Sequence, residues 1–313
     1  MKVAAAQFAP AYLDRAATLD RVLAVLGDAG AQGVELLVFP ETFVPGYPSW
    51  TDHTDASAFD DDDQKSTFAR YLDQSVGLAR GDLDTVVTVA AQLGVFVYLG
   101  IAERSASGGS VYASLVAIDP VAGIVGVHRK LKPTFGERLV WADGAGAGLV
   151  AHDCPPVDGP VRVSGLNCWE NWMPLARAAM WAQGPQVHAA TWPGSTATSR
   201  DASRFAALEG RVFVVSAGAI LRSEDLPADL PVRDQMLEHG DAWASGGSMI
   251  VAPDGRIVAH ADDGTEQLLV ADIDLAEVRA ARHNFDPAGH YSRPDVFDFH
   301  VDRRRSNTAT FRD

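Results

Sequence analysis

The chain has 313 residues, 47% hydrophobic and 21% charged, an ordinary globular composition that excludes disorder as its main theme. Its 26 Lys and Arg against 41 Asp and Glu give a formal charge of −15, which argues against nucleic acid or anionic membrane as the main partner. With two cysteines, Cys154 and Cys168, there is no disulfide framework to support a fold.

Residues 1–10 show no charged n-region, long apolar h-region and cleavage site, so a secretory signal is not expected. No stretch approaches the ~18–20 uninterrupted apolar residues of a membrane span, and a cytoplasmic protein is the expectation. Residues 3–8 form a short apolar strand bounded by Pro10. Over 15–29, Leu19, Val22, Leu23 and Leu26 recur at helical spacing, with Gly30 as a C-terminal stop. Residues 34–39 are a buried strand ended by Pro40. Residues 67–93 read as helical with a break near Gly77 to Gly81, and 95–101 as a strand. Residues 111–118 and 124–128 pair as a hairpin around Asp119-Pro120-Val121-Ala122-Gly123.

The second half repeats the theme. A strand over 161–166 ends at Asn167-Cys168, and a helix covers 174–183. Strand, helix and strand follow at 187–191, 203–211 and 212–217. A hairpin spans 248–252 and 256–259, then come a strand at 268–273 and a helix at 275–283. Strands mixed with helices in this order predict a layered α/β fold. No Pro/Gly/Ser-rich linker divides the chain, so residues 1–313 read as one domain. Residues 45–65 and 223–241 read as irregular loops, a length that often serves function or association.

Four positions invite chemistry. Only four basic residues are lysine, namely Lys2, Lys65, Lys130 and Lys132, and lysine can lose its proton on desolvation where arginine cannot. Lys130 follows a strand and shares a face with His128, and with Lys132 if the strand continues. Cys168 lies at a strand-to-helix turn, where a helix N-terminus lowers a thiol pKa. Cys154 lacks a following helix and reads as structural. Glu41 ends a buried strand, at the edge where α/β sheets place ligands, and burial there raises a carboxyl pKa toward proton-transfer duty. Glu137, taken alone, reads as a solvated loop carboxylate.

Three blocks together resemble the nitrilase superfamily of carbon-nitrogen hydrolases, and its true nitrilase branch. They are residues 39–48 (Phe-Pro-Glu-Thr-Phe-Val-Pro-Gly-Tyr-Pro), 128–141 (His-Arg-Lys-Leu-Lys-Pro-Thr-Phe-Gly-Glu-Arg-Leu-Val-Trp) and 165–175 (Gly-Leu-Asn-Cys-Trp-Glu-Asn-Trp-Met-Pro-Leu). Residues 246–250 (Gly-Gly-Ser-Met-Ile) and 289–297 (Gly-His-Tyr-Ser-Arg-Pro-Asp-Val-Phe) extend the likeness across nearly the whole chain. The resemblance implies a four-layer αββα sandwich and a Glu–Lys–Cys triad of Glu41, Lys130 and Cys168, with Glu137 associated. It also implies a nitrile substrate, no metal or organic cofactor, and a homodimer or larger homo-oligomer. The nitrile would become the carboxylic acid and ammonia through a thioimidate and a thioester on Cys168. Lys130 and the Trp169 backbone N–H would stabilise developing negative charge.

Cys-Trp-Glu-Asn after the nucleophile and the terminal His-Tyr-Ser-Arg-Pro-Asp favour nitriles over the amides taken by amidases of the superfamily. A cyanide-converting enzyme is a closer alternative, and a non-catalytic binding descendant is the alternative from a different class. Tyr47, Thr134, Trp169 and Trp192 are expected to line the substrate pocket, beside Phe135. The chain departs from the family at 141–148 (Trp-Ala-Asp-Gly-Ala-Gly-Ala-Gly), where a Gly-x-Gly-Asp-Gly-like turn is common, which leaves the shape of that loop open. The tail from about residue 298 is short, which suits a dimer or small oligomer better than a spiral.

Overall fold

A computed structural model describes residues 1–304 except 107, 156–158 and 160. In chain order the first half runs β1 (Lys2–Gln7), α1 (Arg15–Ala31), β2 (Leu36–Val38), α2 (Trp50–His53), α3 (Asp62–Gln74), α4 (Asp84–Leu93), β3 (Phe96–Arg104), β4 (Val111–Asp119) and β5 (Gly123–Arg129). The second runs β6 (His152–Cys154), β7 (Val161–Asn167), α5 (Pro174–Trp181), β8 (Val187–Trp192), α6 (Thr196–Gly210), β9 (Phe213–Gly218), β10 (Ile220–Arg222), α7 (Arg233–Leu237), β11 (Ala242–Ser245), β12 (Met249–Val251), β13 (Ile257–His260), β14 (Gln267–Asp272) and α8 (Ala276–Asn284).

Among the described residues the strands make two six-stranded sheets, in the orders β14-β1-β2-β3-β4-β5 and β13-β12-β9-β8-β7-β6, and a β10-β11 ribbon. Each large sheet has three parallel central strands, β1-β2-β3 in one and β7-β8-β9 in the other, with antiparallel strands outside them. Side chains alternate along a strand, so each sheet has two apolar faces to bury. One face of each meets the other sheet: Val3, Val38, Tyr98 and Leu115 pack with Val163, Ala189, Val215 and Ile250. The opposite face of the first sheet, with Ala4, Leu37, Val97 and Val116, takes Val22 and Leu26 of α1 and Val86 and Ala90 of α4. The opposite face of the second, with Leu166, Ala190 and Val214, takes Met180 of α5 and Ala202 and Ala206 of α6. The layers are therefore helix, sheet, sheet and helix, the αββα sandwich expected from the sequence. No helix among the described residues is long and apolar enough to cross a membrane.

Several boundaries differ from the sequence reading. The first helix runs past Gly30 to Ala31, and the left-handed residue that follows is Gly33, at φ +70°. The helix expected from 67 starts at Asp62, because the Asp61 side chain accepts the Gln64 N–H and caps it. The segments read as irregular contain α2, the start of α3, and α7. Cys154 sits in β6 within the core between the sheets, consistent with the structural reading.

Candidate active site

Glu41 follows β2 and Cys168 follows β7, both at the carboxyl ends of central parallel strands. The two strands belong to opposite sheets, and the Glu41 N–H reaches across to the Trp192 carbonyl oxygen at the end of β8 (3.3 Å). Gly100 of β3 lies directly beneath the Glu41 turn. A Cβ there would sit 1.9 Å from the Pro40 carbonyl oxygen and 2.7 Å from the Thr42 nitrogen, so only glycine lets the strand pass this close. Lys130 comes one residue after β5 ends, and its N–H donates to the Ala113 carbonyl oxygen on β4 (2.8 Å).

The loops carrying Glu137 and Cys168 are built alike. Each is a 3-10 turn with a capping box, Thr134 with Glu137 in one and Asn167 with Glu170 in the other. In each, the first residue of the turn is left-handed without being glycine: Phe135 at φ +42° and Cys168 at φ +47°. Such strain persists where the surroundings over-determine it, and it recurs at functional sites. Four interactions hold the Cys168 turn through Glu170. Its carboxylate accepts the N–H of Asn167 (2.9 Å) and of Leu131 (2.7 Å), and pairs twice with His128 Nε2 (2.9 and 3.1 Å). Burial pushes the Glu170 carboxyl up, but His128 and the two backbone donors win and hold it below its ordinary value. Glu170 thus clamps the turn carrying Cys168 to the strand end carrying Lys130.

Lys130 is the centre of the cluster. Its Nζ stands 2.9 Å from Glu41 Oε1 and 2.6 Å from Glu137 Oε2, and all three groups are buried. Cys168 completes the group: Glu41, Glu137 and Cys168 each bring one donor atom within 4.8 Å of the others. A cluster of two carboxylates and a thiol attracts a cation, and here the Lys130 ammonium already lies against both carboxylates. The Lys130 ammonium also lies 5.4 Å from the centre of the Trp141 ring, which Tyr47 meets edge-on.

The two carboxylates are not equivalent. Glu137 accepts from Lys130, from the Tyr47 hydroxyl (2.9 Å) and from the Thr134 N–H (2.5 Å), so both its oxygens are committed. Glu41 meets Lys130 at 2.9 Å, and among the described residues no second group donates to its carboxylate, so acceptor positions stay open on it. Burial is the main reason its carboxyl rises to about 8, and Glu137 adds to this against the pull of Lys130. Burial alone would lower the Lys130 ammonium, yet Glu41, the Cys168 sulfur and Glu137 hold it above its ordinary value. These groups titrate together.

The thiol departs from the sequence expectation. Burial, then Glu41, push Cys168 well above its ordinary pKa; Lys130 pulls it down, Glu137 pushes it up, and the backbone N–H of Trp169 pulls it down. The turn does present an N–H to the sulfur, as expected, but desolvation outweighs that dipole and the resting thiol keeps its proton.

Tyr47 reaches the cluster through its hydroxyl on Glu137, and Thr134 through its backbone N–H on the same carboxylate. Trp192 is fully buried beside Cys168 in the core under α5 and α6. The Trp169 side chain is half exposed, while its N–H faces the sulfur. Phe135 is 83% exposed, unlike the buried cluster. Lys132 lies at the surface against Asp143, since β5 stops before it. The altered 141–148 loop still closes on the site: the Gly144 N–H donates to the Lys130 carbonyl oxygen (2.8 Å). The sequence reading missed His128 and Glu170 as a pair. The signal available was the spacing Asn167-x-x-Glu170, the same capping pattern as Thr134-x-x-Glu137.

Residues 2–283 match the family model described as carbon-nitrogen hydrolase. Among curated proteins, the chain is 36% identical over 312 residues to one named Nitrilase 2 from an unknown prokaryotic organism, covering 98% of this chain and 94% of that one. It is 35% identical to an aliphatic nitrilase of Rhodococcus rhodochrous (98% and 85% covered) and 38% identical to a nitrilase of Pseudomonas syringae pv. syringae strain B728a (95% and 88%). Among solved structures, a carbon-nitrogen hydrolase from Helicobacter pylori G27 superposes with a TM-score of 0.68 at 19% identity, covering 94% of this chain and 96% of that one. The NitFhit protein of C. elegans gives 0.69 at 18% identity, covering 98% of this chain and 68% of that one. The architecture is shared with both structures, and by the family model and the full-length relatives the chain belongs to the carbon-nitrogen hydrolase family.

Proposed function

We propose that this protein is a nitrilase that converts a small organic nitrile to its carboxylic acid and ammonia. The observation that carries the reading is the buried Lys130 between Glu41 and Glu137, with Cys168 alongside, in a chain whose full-length relatives are named nitrilases.

The reaction starts from a neutral thiol. Glu41, with open oxygens and a carboxyl near neutrality, takes the Cys168 proton as the sulfur adds to the nitrile carbon, and passes it to the nitrogen. The product is a thioimidate. Negative charge building on that nitrogen lies near Lys130 and the Trp169 N–H, two donors already in place before the reaction. Glu41 then draws a proton from water, which adds to the thioimidate carbon, and returns it to the nitrogen. Ammonia leaves and a thioester remains. A second water, activated the same way, releases the acid and restores the thiol. One nitrile and two waters give one acid and one ammonia. Glu137, with both oxygens occupied, holds Lys130 in place.

A panel of aliphatic and aromatic nitriles with the matching amides, scored for acid, amide and ammonia, tests this. The expected result is acid and ammonia in equal amounts from at least one nitrile. Turnover of amides alone would overturn it.

A further inference from the structure

A buried polar chain runs behind the Cys168 turn and touches none of the reacting groups' side chains. Asn171 Nδ2 donates to the Cys168 carbonyl oxygen (2.9 Å) and to that of Leu166 (3.3 Å). Asn171 Oδ1 lies 2.9 Å from His188 Nε2, and His188 Nδ1 lies 2.8 Å from the Ser164 hydroxyl. The Asn171 carbonyl oxygen in turn accepts from Arg177 (2.8 Å). Asn171, His188 and Ser164 are fully buried.

The geometry fixes the Asn171 end of this chain, and the neutral state of His188 fixes the rest. The Asn171 nitrogen faces two carbonyl oxygens, so it must be the NH2 end and Oδ1 must accept. His188 therefore carries its proton on Nε2, Nδ1 accepts, and Ser164 donates. A protonated imidazole would donate from Nδ1 as well, and the Ser164 hydroxyl would turn to accept. Burial, reinforced by Arg177, holds His188 down at about 3, so the neutral ring persists across the working pH range.

What this chain grips is one peptide unit. The Cys168 carbonyl and the Trp169 N–H belong to the same planar amide and point in opposite directions. Pinning the oxygen aims the N–H, and a hydrogen bond accepted at the carbonyl polarises the amide and strengthens its N–H as a donor. That N–H faces the Cys168 sulfur, at a residue held in a left-handed conformation that the backbone alone disfavours.

We propose that Asn171, oriented by His188 and Ser164, is a positioning residue that aims the Trp169 N–H at the reacting sulfur and at the charge formed during nitrile addition. This rests on the nitrilase reading for its substrate, but not for its effect on the thiol.

The test uses the full chain with Asn171→Leu, His188→Gln and Ser164→Ala. Loss of a backbone charge donor costs about 10²–10³ in kcat where it is removed outright, and a misaimed one less. For Asn171→Leu the expectation is a fall in kcat of about tenfold to a hundredfold with KM little changed. Ser164→Ala should show a smaller fall, and His188→Gln, which keeps a donor for Asn171 Oδ1, should retain more activity than His188→Leu. The second readout is the pH dependence of Cys168 alkylation by iodoacetamide, whose midpoint should move up in Asn171→Leu because the thiolate loses a donor. Folded variants with wild-type kcat and an unmoved alkylation midpoint would overturn the proposal, as would a loss of rate fully accounted for by a lower melting temperature. If Asn171→Leu does not fold, Ser164→Ala and His188→Gln decide by the same two readouts. A wild-type protein that turns over no nitrile while the alkylation midpoint still moves with Asn171 would contradict the nitrilase reading and uphold this one.

Discussion

Two glutamates reach Lys130, and their hydrogen bonds divide the work between them. Glu137 is saturated by Lys130, Tyr47 and Thr134, while Glu41 keeps its oxygens open and its carboxyl is raised to about 8. In the proposed reaction the base is needed ionised. Below about 8 the Glu41 carboxyl holds its proton, and above it the base is free. The rate constant kcat/KM for a nitrile is therefore expected to rise with pH, with an ascending midpoint far nearer 8 than the ordinary 4.5, belonging to the coupled cluster and not to Glu41 alone. A pH–rate profile with its ascending limb below about 6 would contradict the role given to burial at Glu41. At this scale the sequence identified the chemical groups but not their states. Glu41 at the end of an apolar strand was readable as buried. Glu137 alone reads as solvated, because what buries it includes a tyrosine ninety residues away, and because nothing local shows that Lys130, seven residues before it, turns inward to meet it. The sign of the Cys168 shift was unreadable for the same reason: a local turn favours the thiolate, and only the assembled site reveals the desolvation and the carboxylate that oppose it.

Elements place these groups by ending where they do. β2, β5 and β7 stop just short of Glu41, Lys130 and Cys168, and each candidate residue sits just beyond its strand's carboxyl end. Gly100 makes one such turn possible, since a Cβ would meet three backbone atoms of Pro40, Thr42 and Glu41 within 2.9 Å. None of these atoms can rotate aside as a side chain would. Gly100→Ala should cost about 1–3 kcal/mol or more, as overpacking does, and should reduce nitrile turnover even at temperatures where the variant is folded, because the Glu41 turn must move. Calorimetry with activity assays checks this, and an unchanged melting temperature with wild-type rate would contradict it. Strands with continuous apolar runs were legible, as were helices with an apolar stripe. The start of α6 was not, because the residues it buries first, Ser199, Ala202 and Ser203, are small or polar and leave no hydrophobic period to read. The β10-β11 ribbon escaped notice because its strands are short and some twenty residues apart, so their pairing depends on the surrounding fold.

At the scale of the whole molecule, the site exists only where the two sheets meet. The first sheet carries Glu41 and Lys130, the second carries Cys168, and the apolar faces between them bring groups more than a hundred residues apart to within 4.8 Å. Length and composition could say only that a core of this kind was affordable; the order of strands and helices predicted a layered α/β fold, and the αββα layering came from the resemblance of the motif blocks. The charge of −15 plays no part in drawing in a neutral nitrile and leaves the carboxylate product to depart from a negative molecule. The central claim is that Cys168 bonds covalently to the carbon of the nitrile. Rapid-quench peptide mass spectrometry during nitrile turnover tests it directly. The expected result is that the peptide containing Cys168 gains the mass of the substrate's thioimidate or acyl group, while the peptide containing Cys154 stays unmodified. Acid and ammonia formed at the full rate in Cys168→Ala, with no adduct on any peptide, would contradict it.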